Sequence, residues 1–351
     1  MSADTGKTAA TKAAKTQPLL KELKKHLKAA ILPGDDPLDN AAFSDAAQFL
    51  LDAAGKRAAS RSAMKIESDT GADIGERRLR IAIVNDDMPF LVDSIAATIS
   101  ASGLSIDQLI HPVVSVERDN TGALTGLSKK DGAGANESMI YIETPRIDAR
   151  HRRELAAQLR ETLGDVRAAV TDWPKMQDRL GKDAETITQA DGQNESGALL
   201  QWLNGGMLTQ LGHVTRTRSG EEKSALGICR KSARQILADA SFERAFEWFD
   251  KSSAKGDARD LLVIKANRLS TVHRRTPLDL FIVPVREGGK VTALSVHAGV
   301  WTSAALGTPP GEVPMLRQAL TDITAALGFD PTGHAGKALV HALTSVSYTH
   351  L

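Results

Sequence analysis

The segment Leu79–Ile95 has the sequence LRIAIVNDDMPFLVDSI, and the segment Leu104–Glu117 has the sequence LSIDQLIHPVVSVE. The start of the first segment alternates apolar residues with others, which predicts a β-strand. Pro89 favours a helix after this strand, because its fixed φ angle suits the first helical turn and its missing N–H is not needed there. The spacing that follows places three apolar residues on one helical stripe: Leu91, Ile95 and Ile99. The β-branched residues of the second segment predict another strand.

A variation of this pattern follows along the chain. Residues 139–143 form a third predicted strand, and residues 148–163 have helical spacing, with Asp148 as the N-cap and Gly164 as the C-cap. Residues 166–171, Val-Arg-Ala-Ala-Val-Thr, predict a fourth strand. The resulting order βαββαβ is that of a ferredoxin-like unit, so we expect an α+β fold.

The turn after the first strand is the most specific part of the sequence. A ferredoxin-like unit with acidic residues and a proline at this point resembles an ACT domain, a regulatory module that often binds amino acids in the same turn. The stretch Asp86–Ser94, DDMPFLVDS, together with His111-Pro112-Val113, closely resembles the amino-terminal segment of the large NAD-specific glutamate dehydrogenases of bacteria. In that family the ACT-like regulatory domains come first, and the catalytic domain comes far later in a very long chain.

Further motifs extend the resemblance from about Arg78 to His341. Family-like motifs occur in the same order: LG at 211–212, LGI at 226–228, SxVHR at 270–274, GVWTS at 299–303, VPMLR at 313–317 and GKALxH at 336–341. Two places depart from the family pattern. The aromatic residues that the family has before Leu211 are replaced by the sequence MLTQ, and Arg275-Thr276 precede Pro277 where the family has an immediate proline.

The sequence predicts five regions. Residues 1–33 form a disordered and helical lead, in which residues 1–17 are rich in alanine, threonine and lysine and have little to bury. The remaining regions are a helical segment (34–75), an ACT-like domain (76–180), a second α+β domain after a polar linker (195–345) and a truncated or foreign tail where the resemblance fails (346–351). In the second domain the helical stripe of Phe242, Phe246 and Phe249 is expected to belong to the core and not to a cofactor site.

The composition excludes several classes of partner. The chain has 351 residues and a net charge of +1, so its charge balance does not indicate nucleic acid or an anionic membrane. Cys229 is the only cysteine, which excludes an intrachain disulfide and suits a reducing compartment. No apolar run has the length of a membrane span. We therefore expect a cytoplasmic protein without a nucleic-acid or membrane partner.

The sequence contains no motif for cofactor or metal chemistry. There is no Gly-x-Gly-x-x-Gly fingerprint, no phosphate-binding loop and no Gly-x-Ser-x-Gly elbow. No group of cysteines or histidines has metal-ligand spacing, so no metal site is predicted. The resemblance implies NAD as the cofactor of the full-length protein, with the NAD site and the catalytic residues in a domain that this chain does not reach. By itself the chain is expected to be inactive.

The candidate effector site is the turn formed by Asp86, Asp87, Met88, Pro89 and Phe90. A ligand amine would pair with a carboxylate there, and N–H groups at the helix N-terminus would bind the ligand carboxylate. The alternative is a plain strand-to-helix turn in which Asp87 caps a helix that begins near Pro89. This alternative is favoured because Phe90 stands where many ACT domains have a glycine, which lets a ligand approach the backbone.

Two other stretches leave alternatives open. His111 is either a ligand contact or, as for most buried polar groups, a hydrogen-bonded histidine in a strand. The stretch His273-Arg274-Arg275 is either an anion site or a solvated strand edge.

The resemblance implies a regulatory and assembly fragment of an NAD-dependent glutamate dehydrogenase. The full-length protein would convert L-glutamate to 2-oxoglutarate and ammonia in glutamate catabolism, with NAD as the hydride acceptor. The alternative is a stand-alone ACT-type amino-acid sensor or scaffold. Because exposed strand edges favour pairing, residues 79–171 are expected to mediate self-association into a homo-oligomer, and a small amino acid is the expected effector.

Overall fold

The computed structural model describes residues 4–31, 38–69, 78–129, 134–190, 194–231, 236–255, 259–328, 330 and 333–344. The chain forms two compact units, Met1–Gly164 and Asp165–Leu351, called unit 1 and unit 2 below. The division falls within a helix and not in the polar linker that the sequence predicts as the domain boundary. Among the described residues, no helix has both the length and the apolar character needed to cross a bilayer.

Unit 1 is built on a six-stranded sheet. Its strands are β1 (Ala63–Ser68), β2 (Arg78–Asp86), β3 (Gln108–Ile110), β4 (Val113–Arg118), β5 (Leu124–Lys129) and β6 (Ala135–Pro145). They lie in the order β1-β2-β6-β4-β5, with β3 also paired to β6, and each pairing is antiparallel. The helices are α1 (Asp4–Ala29), α2 (Asn40–Ala54), α3 (Leu91–Ala101) and the first part of α4 (Ala149–Ala190). The α+β class is confirmed.

Strand β2 is buried on both faces of this sheet. Ile81 and Ile83 occupy one face of β2 and Ala82 and Val84 the other, and all four are fully buried. Helices α1 and α2 pack on the face that carries Ala82 and Val84. The carboxylate of Asp39 accepts two backbone N–H bonds at the start of α2, which fixes where this helix begins.

The predicted fourth strand is wrong, because residues 166–171 lie inside α4. Buried apolar residues continue with helical spacing on both sides of Gly164, at Leu155, Leu159, Leu163, Val166 and Ala169. Gly164 is an exposed residue of the helix interior and not its C-cap. The place beside β2, which the fourth strand of a ferredoxin-like sheet would take, is occupied by β1.

Three further predictions about unit 1 are corrected by the structure. Residues 4–17, predicted to be disordered, belong to α1. The segment 34–75, predicted to be helical, includes strand β1. The single strand predicted within 104–117 is split into β3 and β4 at His111-Pro112, because proline has no N–H to donate to the sheet.

Unit 2 is built on a five-stranded antiparallel sheet in the order β8-β7-β11-β10-β9. Its strands are β7 (Leu208–Thr217), β8 (Glu222–Gly227), β9 (Leu262–Leu269), β10 (Pro277–Glu287) and β11 (Lys290–Trp301). The rest of α4 belongs to this unit, with α5 (Glu195–Trp202), α6 (Asp239–Ala254), α7 (Ser303–Gly307), α8 (Leu316–Ala326) and α9 (His334–Thr344).

Two predictions about unit 2 are confirmed by the structure. Two apolar stretches, 281–285 and 291–296, flank Gly288 and Gly289 and predict a hairpin. The hairpin is confirmed, since β10 and β11 pair up to a turn at these glycines, whose φ angles are 57° and 79°. The predicted aromatic stripe of α6 is also confirmed as core, because Phe242, Phe246 and Phe249 are buried.

Replacing Gly164 with alanine is expected to stabilise the protein. Alanine in an exposed helix interior is favoured over glycine by roughly 0.5–1 kcal/mol of unfolding free energy. A Cβ built at Gly164 meets nothing within 4 Å, so no clash offsets this gain. Urea unfolding would measure the change.

Gly103→Ala is the matched control for this substitution. Gly103 also has no atom within 4 Å of an added Cβ, but its φ angle is +76°, so alanine is expected to destabilise the protein there. A Gly164→Ala variant that loses stability as Gly103→Ala does would show that the helix ends at Gly164, as the sequence predicts.

Candidate functional site

The five candidate effector residues form the connection between β2 and α3. Asp86 is the last residue of β2, Pro89 and Phe90 form a turn, and α3 begins at Leu91. Asp87 and Pro89 are exposed, while Asp86, Met88 and Phe90 are half-buried. The structure therefore keeps these residues together and leaves Asp87 exposed at the surface.

The prediction that Asp87 caps a helix beginning near Pro89 is wrong. The residue at the N-cap position is Phe90, whose φ angle is 70°, in the left-handed region. This conformation costs a non-glycine residue roughly 1–2 kcal/mol, which is why glycine is the usual residue at such a position. The side chain of Phe90 provides no capping hydrogen bond. The helix consequently begins later than the proline suggests.

Asp87 is bound to strand β6. Its Oδ1 accepts a hydrogen bond from the Ser138 hydroxyl at 2.8 Å, and its backbone N–H donates to the carbonyl oxygen of Asn136 at 3.1 Å. The carboxylate is thus oriented by β6 while its residue remains exposed.

Asp86 belongs to a buried network of charges centred on Glu137, a β6 residue that is 1% exposed. Arg57 donates to Oε1 of Glu137 from Nη2 at 2.5 Å and from Nε at 3.1 Å. Arg118 donates to Oε1 from Nε and to Oε2 from Nη2, each at 2.7 Å. The Nη2 of Arg57 also lies 2.6 Å from Oδ1 of Asp86. The network therefore ties the end of β2 to β4 and β6.

The charges of this network balance, since two guanidinium groups face two carboxylates. Burial lowers the pKa of Arg57, but the hydrogen bonds and charges of Glu137 and Asp86 outweigh burial and hold that pKa above its ordinary value. A cavity of about 620 Å³ lies beside the network and is lined in part by Arg57, Arg118 and Glu137. The lining of this cavity does not include residues 86–90.

The structure corrects the expectation for His111. This residue lies between β3 and β4 and not within a strand, and its Nε2 is buried without a hydrogen-bond partner among the described residues. Burial lowers the pKa of His111, against the opposing effect of the negative charge of Asp87. His111 is therefore biased towards its neutral form beside the candidate turn.

The stretch His273-Arg274-Arg275 lies in a bend and not at a strand edge. His273 has a φ angle of 65°, and the Nη2 of Arg274 donates to the backbone oxygen of Trp301 at the end of β11. Arg275 is exposed. Arg274 thus supports the backbone, and anion binding by this stretch stays a prediction.

Sequence reasoning missed a second cluster, which lies in unit 2. Asp183 of α4, His213 of β7 and His297 of β11 are all buried, and one ligand-capable atom from each lies within 4.8 Å of the others. His213 and His297 stand directly opposite each other on paired strands, with ring centroids 4.8 Å apart. The only sequence signal is a histidine inside each of two apolar strands. The meeting with Asp183 is a tertiary feature.

Ser295 connects the three members of this cluster. The Nε2 of His297 lies 2.8 Å from Oδ2 of Asp183. The hydroxyl of Ser295 is hydrogen-bonded to the same carboxylate oxygen and lies 3.0 Å from Nε2 of His213. Arg179 holds the other oxygen of this carboxylate, with Nη2 at 3.1 Å from Oδ1.

The electrostatics of the cluster define its protonation. Burial, assisted by the neighbouring His297, lowers the pKa of His213 to about 3, so this imidazole is neutral at physiological pH. Its Nδ1 lies 3.0 Å from the carbonyl oxygen of Ser224, which places the proton on Nδ1 and a lone pair on Nε2. Burial raises the pKa of Asp183, but its hydrogen bond to His297 and the charge there outweigh burial and leave the pKa below its ordinary value. Two imidazoles and a carboxylate are donors that divalent transition metals accept.

Comparison with known proteins identifies the class of unit 1 first. Residues 33–159 match the family model described as "Glutamate dehydrogenase, ACT1 domain". This part of the chain is therefore similar to an ACT domain of the glutamate dehydrogenase type.

Two curated relatives extend the match to 75% of this chain. The NAD-specific glutamate dehydrogenase of Pseudomonas aeruginosa is 28% identical over 287 residues, and that of Halomonas elongata is 28% identical over 293 residues. The chain spans about 17% of the length of each relative. These matches confirm the predicted resemblance of the chain to a segment of the NAD-specific glutamate dehydrogenases.

Solved structures add little to this assignment. The structure of an RNA-binding light-oxygen-voltage receptor aligns with 87% of this chain and 89% of its own, at 10% identity and a TM-score of 0.19. A likeness at this level supports no argument about fold or function.

Replacing Glu137 with glutamine is expected to destabilise unit 1 strongly. The change leaves two guanidinium groups with one fewer charge partner in a buried place, and breaking a buried ion pair in this way costs about 3–5 kcal/mol. Glu117→Gln, at an exposed position of β4, is the control, and surface substitutions of this kind stay within about 0.5 kcal/mol. Urea unfolding of both variants would measure the difference. Equal stabilities would show that the network is not a determinant of this fold.

Proposed function

We propose that this chain is a regulatory and assembly segment of an NAD-dependent glutamate dehydrogenase. The observation that carries the proposal is the match of residues 33–159 to the glutamate dehydrogenase ACT1 domain, supported by relatives that are NAD-specific glutamate dehydrogenases. In the full-length protein the reaction is the oxidative deamination of L-glutamate to 2-oxoglutarate and ammonia, with NAD as the hydride acceptor.

The catalytic part of this proposal lies outside the chain. The 351 residues contain no dinucleotide-binding fingerprint, and the chain spans about 17% of its relatives. We therefore assign NAD and glutamate chemistry to the whole protein and regulation to this segment.

The proposal includes the ACT-type arrangement of unit 1. A ferredoxin-like unit begins with a strand, a helix and two further strands. Unit 1 has the same order along the chain: β2, then α3, then β3 with β4, then β6. Strand β1 would stand in for the fourth strand, since it pairs antiparallel with β2 on the side away from β6. Self-association through this unit stays part of the proposal.

We place the effector site at the turn between β2 and α3. The exposed carboxylate of Asp87, oriented by Ser138, would receive the amine of an amino acid. The first N–H groups of α3 would bind its carboxylate, because the N-terminus of a helix favours anions. The partly buried side chain of Phe90 limits the ligand to a small amino acid.

The purified chain is expected to show no glutamate-dependent reduction of NAD. The physical reason is the missing dinucleotide fingerprint, without which the pyrophosphate of NAD has no backbone cradle. Absorbance of NADH during incubation with glutamate and NAD would measure it. Turnover that co-elutes with the chain and survives separation from host enzymes would contradict the assignment of catalysis to another domain.

An amino acid is expected to raise the thermal midpoint of the chain, and Asp87→Ala is expected to abolish that rise. Binding to the folded state alone adds about 2.7 kcal/mol of stability at a ligand concentration 100 times the dissociation constant. A panel of amino acids screened by thermal shift would measure both effects. Asp93→Ala is the matched control, because it removes an exposed carboxylate from the first turn of α3.

The outcomes of this screen separate the two candidate functions. A rise that is lost in Asp87→Ala and kept in Asp93→Ala supports the effector site. No rise with any amino acid contradicts sensing and leaves an assembly segment. The second candidate, a stand-alone sensor, requires the rise and also requires that no dinucleotide-binding domain continues the reading frame.

A further inference from the structure

We propose that Asp183, His213 and His297 form a buried binding site for a divalent transition-metal ion of the zinc type. The site ties helix α4 to strands β7 and β11 within unit 2. Its role is structural, since all three residues are buried and leave no open position for a substrate.

The ligand atoms lie near the spacing that the ion requires. Zinc binds histidine nitrogen and carboxylate oxygen at about 2.0–2.2 Å in a tetrahedron, so neighbouring ligand atoms lie about 3.3 Å apart. In unit 2 the three ligand atoms lie within 4.8 Å of one another, and the Oδ2 of Asp183 and Nε2 of His297 are 2.8 Å apart. Small side-chain rotations convert this arrangement into a coordination sphere.

The surroundings orient the ligands. The Nδ1–H of His213 donates to the carbonyl oxygen of Ser224 at 3.0 Å, which turns the Nε2 lone pair towards the cluster. Metal-binding histidines are commonly held in this way. Arg179 holds Oδ1 of Asp183 at 3.1 Å, so Oδ2 faces the two imidazoles.

A count of hydrogens shows what the cluster lacks. Four close contacts link these groups in a row. The backbone oxygen of Ser224 meets Nδ1 of His213, and Nε2 of His213 meets the hydroxyl of Ser295. That hydroxyl meets Oδ2 of Asp183, which in turn meets Nε2 of His297. Within these contacts His213 contributes the hydrogen on its Nδ1, Ser295 contributes its hydroxyl hydrogen and the Nε2 of His297 contributes one, while ionised Asp183 contributes none. Three hydrogens cannot make four hydrogen bonds, so the cluster has room for one further cation, either a proton or a metal ion.

A metal ion resolves this shortage. The lone pairs of His213 Nε2, His297 Nε2 and Asp183 Oδ2 all turn to the ion, and His297 then carries its hydrogen on Nδ1. The hydroxyl of Ser295, which touches both His213 and Asp183, supplies the fourth donor.

The test is the metal content of the 351-residue chain, expressed with a tag that lacks histidine and purified without chelator. Elemental analysis is expected to find stoichiometric zinc, and a strong chelator is expected to lower the thermal midpoint until zinc is added back. Cobalt substitution is expected to give the visible absorption of a tetrahedral Co²⁺ centre, which surface histidines do not give.

His297→Gln and Asp183→Asn are expected to lose the zinc and the chelator effect. His111→Gln is the matched control, because it removes a histidine of unit 1 whose Nε2 is also buried without a partner among the described residues. It is expected to keep both properties. The cobalt spectrum of the unchanged protein keeps the proposal testable if the cluster variants do not fold.

Two results would overturn the proposal. One is a wild-type chain that holds no metal and whose midpoint does not rise with added zinc or cobalt, which would show that an extra proton occupies the cluster. The other is zinc that remains bound at full stoichiometry in folded His297→Gln, which would place the metal elsewhere.

Discussion

The buried carboxylate of Glu137, held between the guanidinium groups of Arg57 and Arg118, is the interaction on which unit 1 depends. Removing such charges from water is costly, and the cost is offset only when each is paired and hydrogen-bonded. Arg57 follows α2, Arg118 ends β4, and Glu137 lies on β6, so satisfying one carboxylate fixes three parts of the chain at once. An apolar core alone would tolerate small shifts of these parts, whereas bidentate charged bonds do not.

The same network reaches the candidate effector turn. Arg57 also binds Asp86, the last residue of β2, and Ser138 of β6 binds Asp87. Hydrogen bonds therefore fix the residues that join β2 to the turn. At the other end of the turn Phe90 has a left-handed φ of 70°, a conformation that glycine would adopt without strain. Strained backbone of this kind persists only when the surrounding structure determines it, and it occurs often at ligand sites.

Unit 2 contains a different polar cluster. In the Glu137 network the charges balance and the donors match the acceptors that face them. In the cluster of Asp183, His213 and His297 the hydrogens fall short of the contacts, although the groups are as deeply buried. Because unsatisfied buried polar groups are costly, this difference makes the second cluster a candidate for a bound cation.

The sequence by itself determined the local elements whose periodicity is strong. Ile81 and Ile83 alternate with other residues and form β2, the stripe through Leu91 and Ile95 forms α3, and the paired glycines at 288 and 289 turn the β10–β11 hairpin. These outcomes depend on backbone preferences and on which face is apolar, both of which are local. The family-like motifs, such as Asp86–Ser94, also lie within short stretches, so the sequence alone carries the resemblance to the glutamate dehydrogenases.

Only the tertiary structure decided the conformation of residues 166–171 and the contacts between side chains that are far apart in sequence. The short segment fits a strand or a helix by composition, and the buried stripe of α4 that continues on both sides of it settled the choice. The partners of Glu137 and the meeting of Asp183 with two histidines join residues far apart in sequence, through contacts that no local spacing contains. Charge pairing and hydrogen bonding act across space, so the sites that carry this protein's chemistry are set by the packing of its elements.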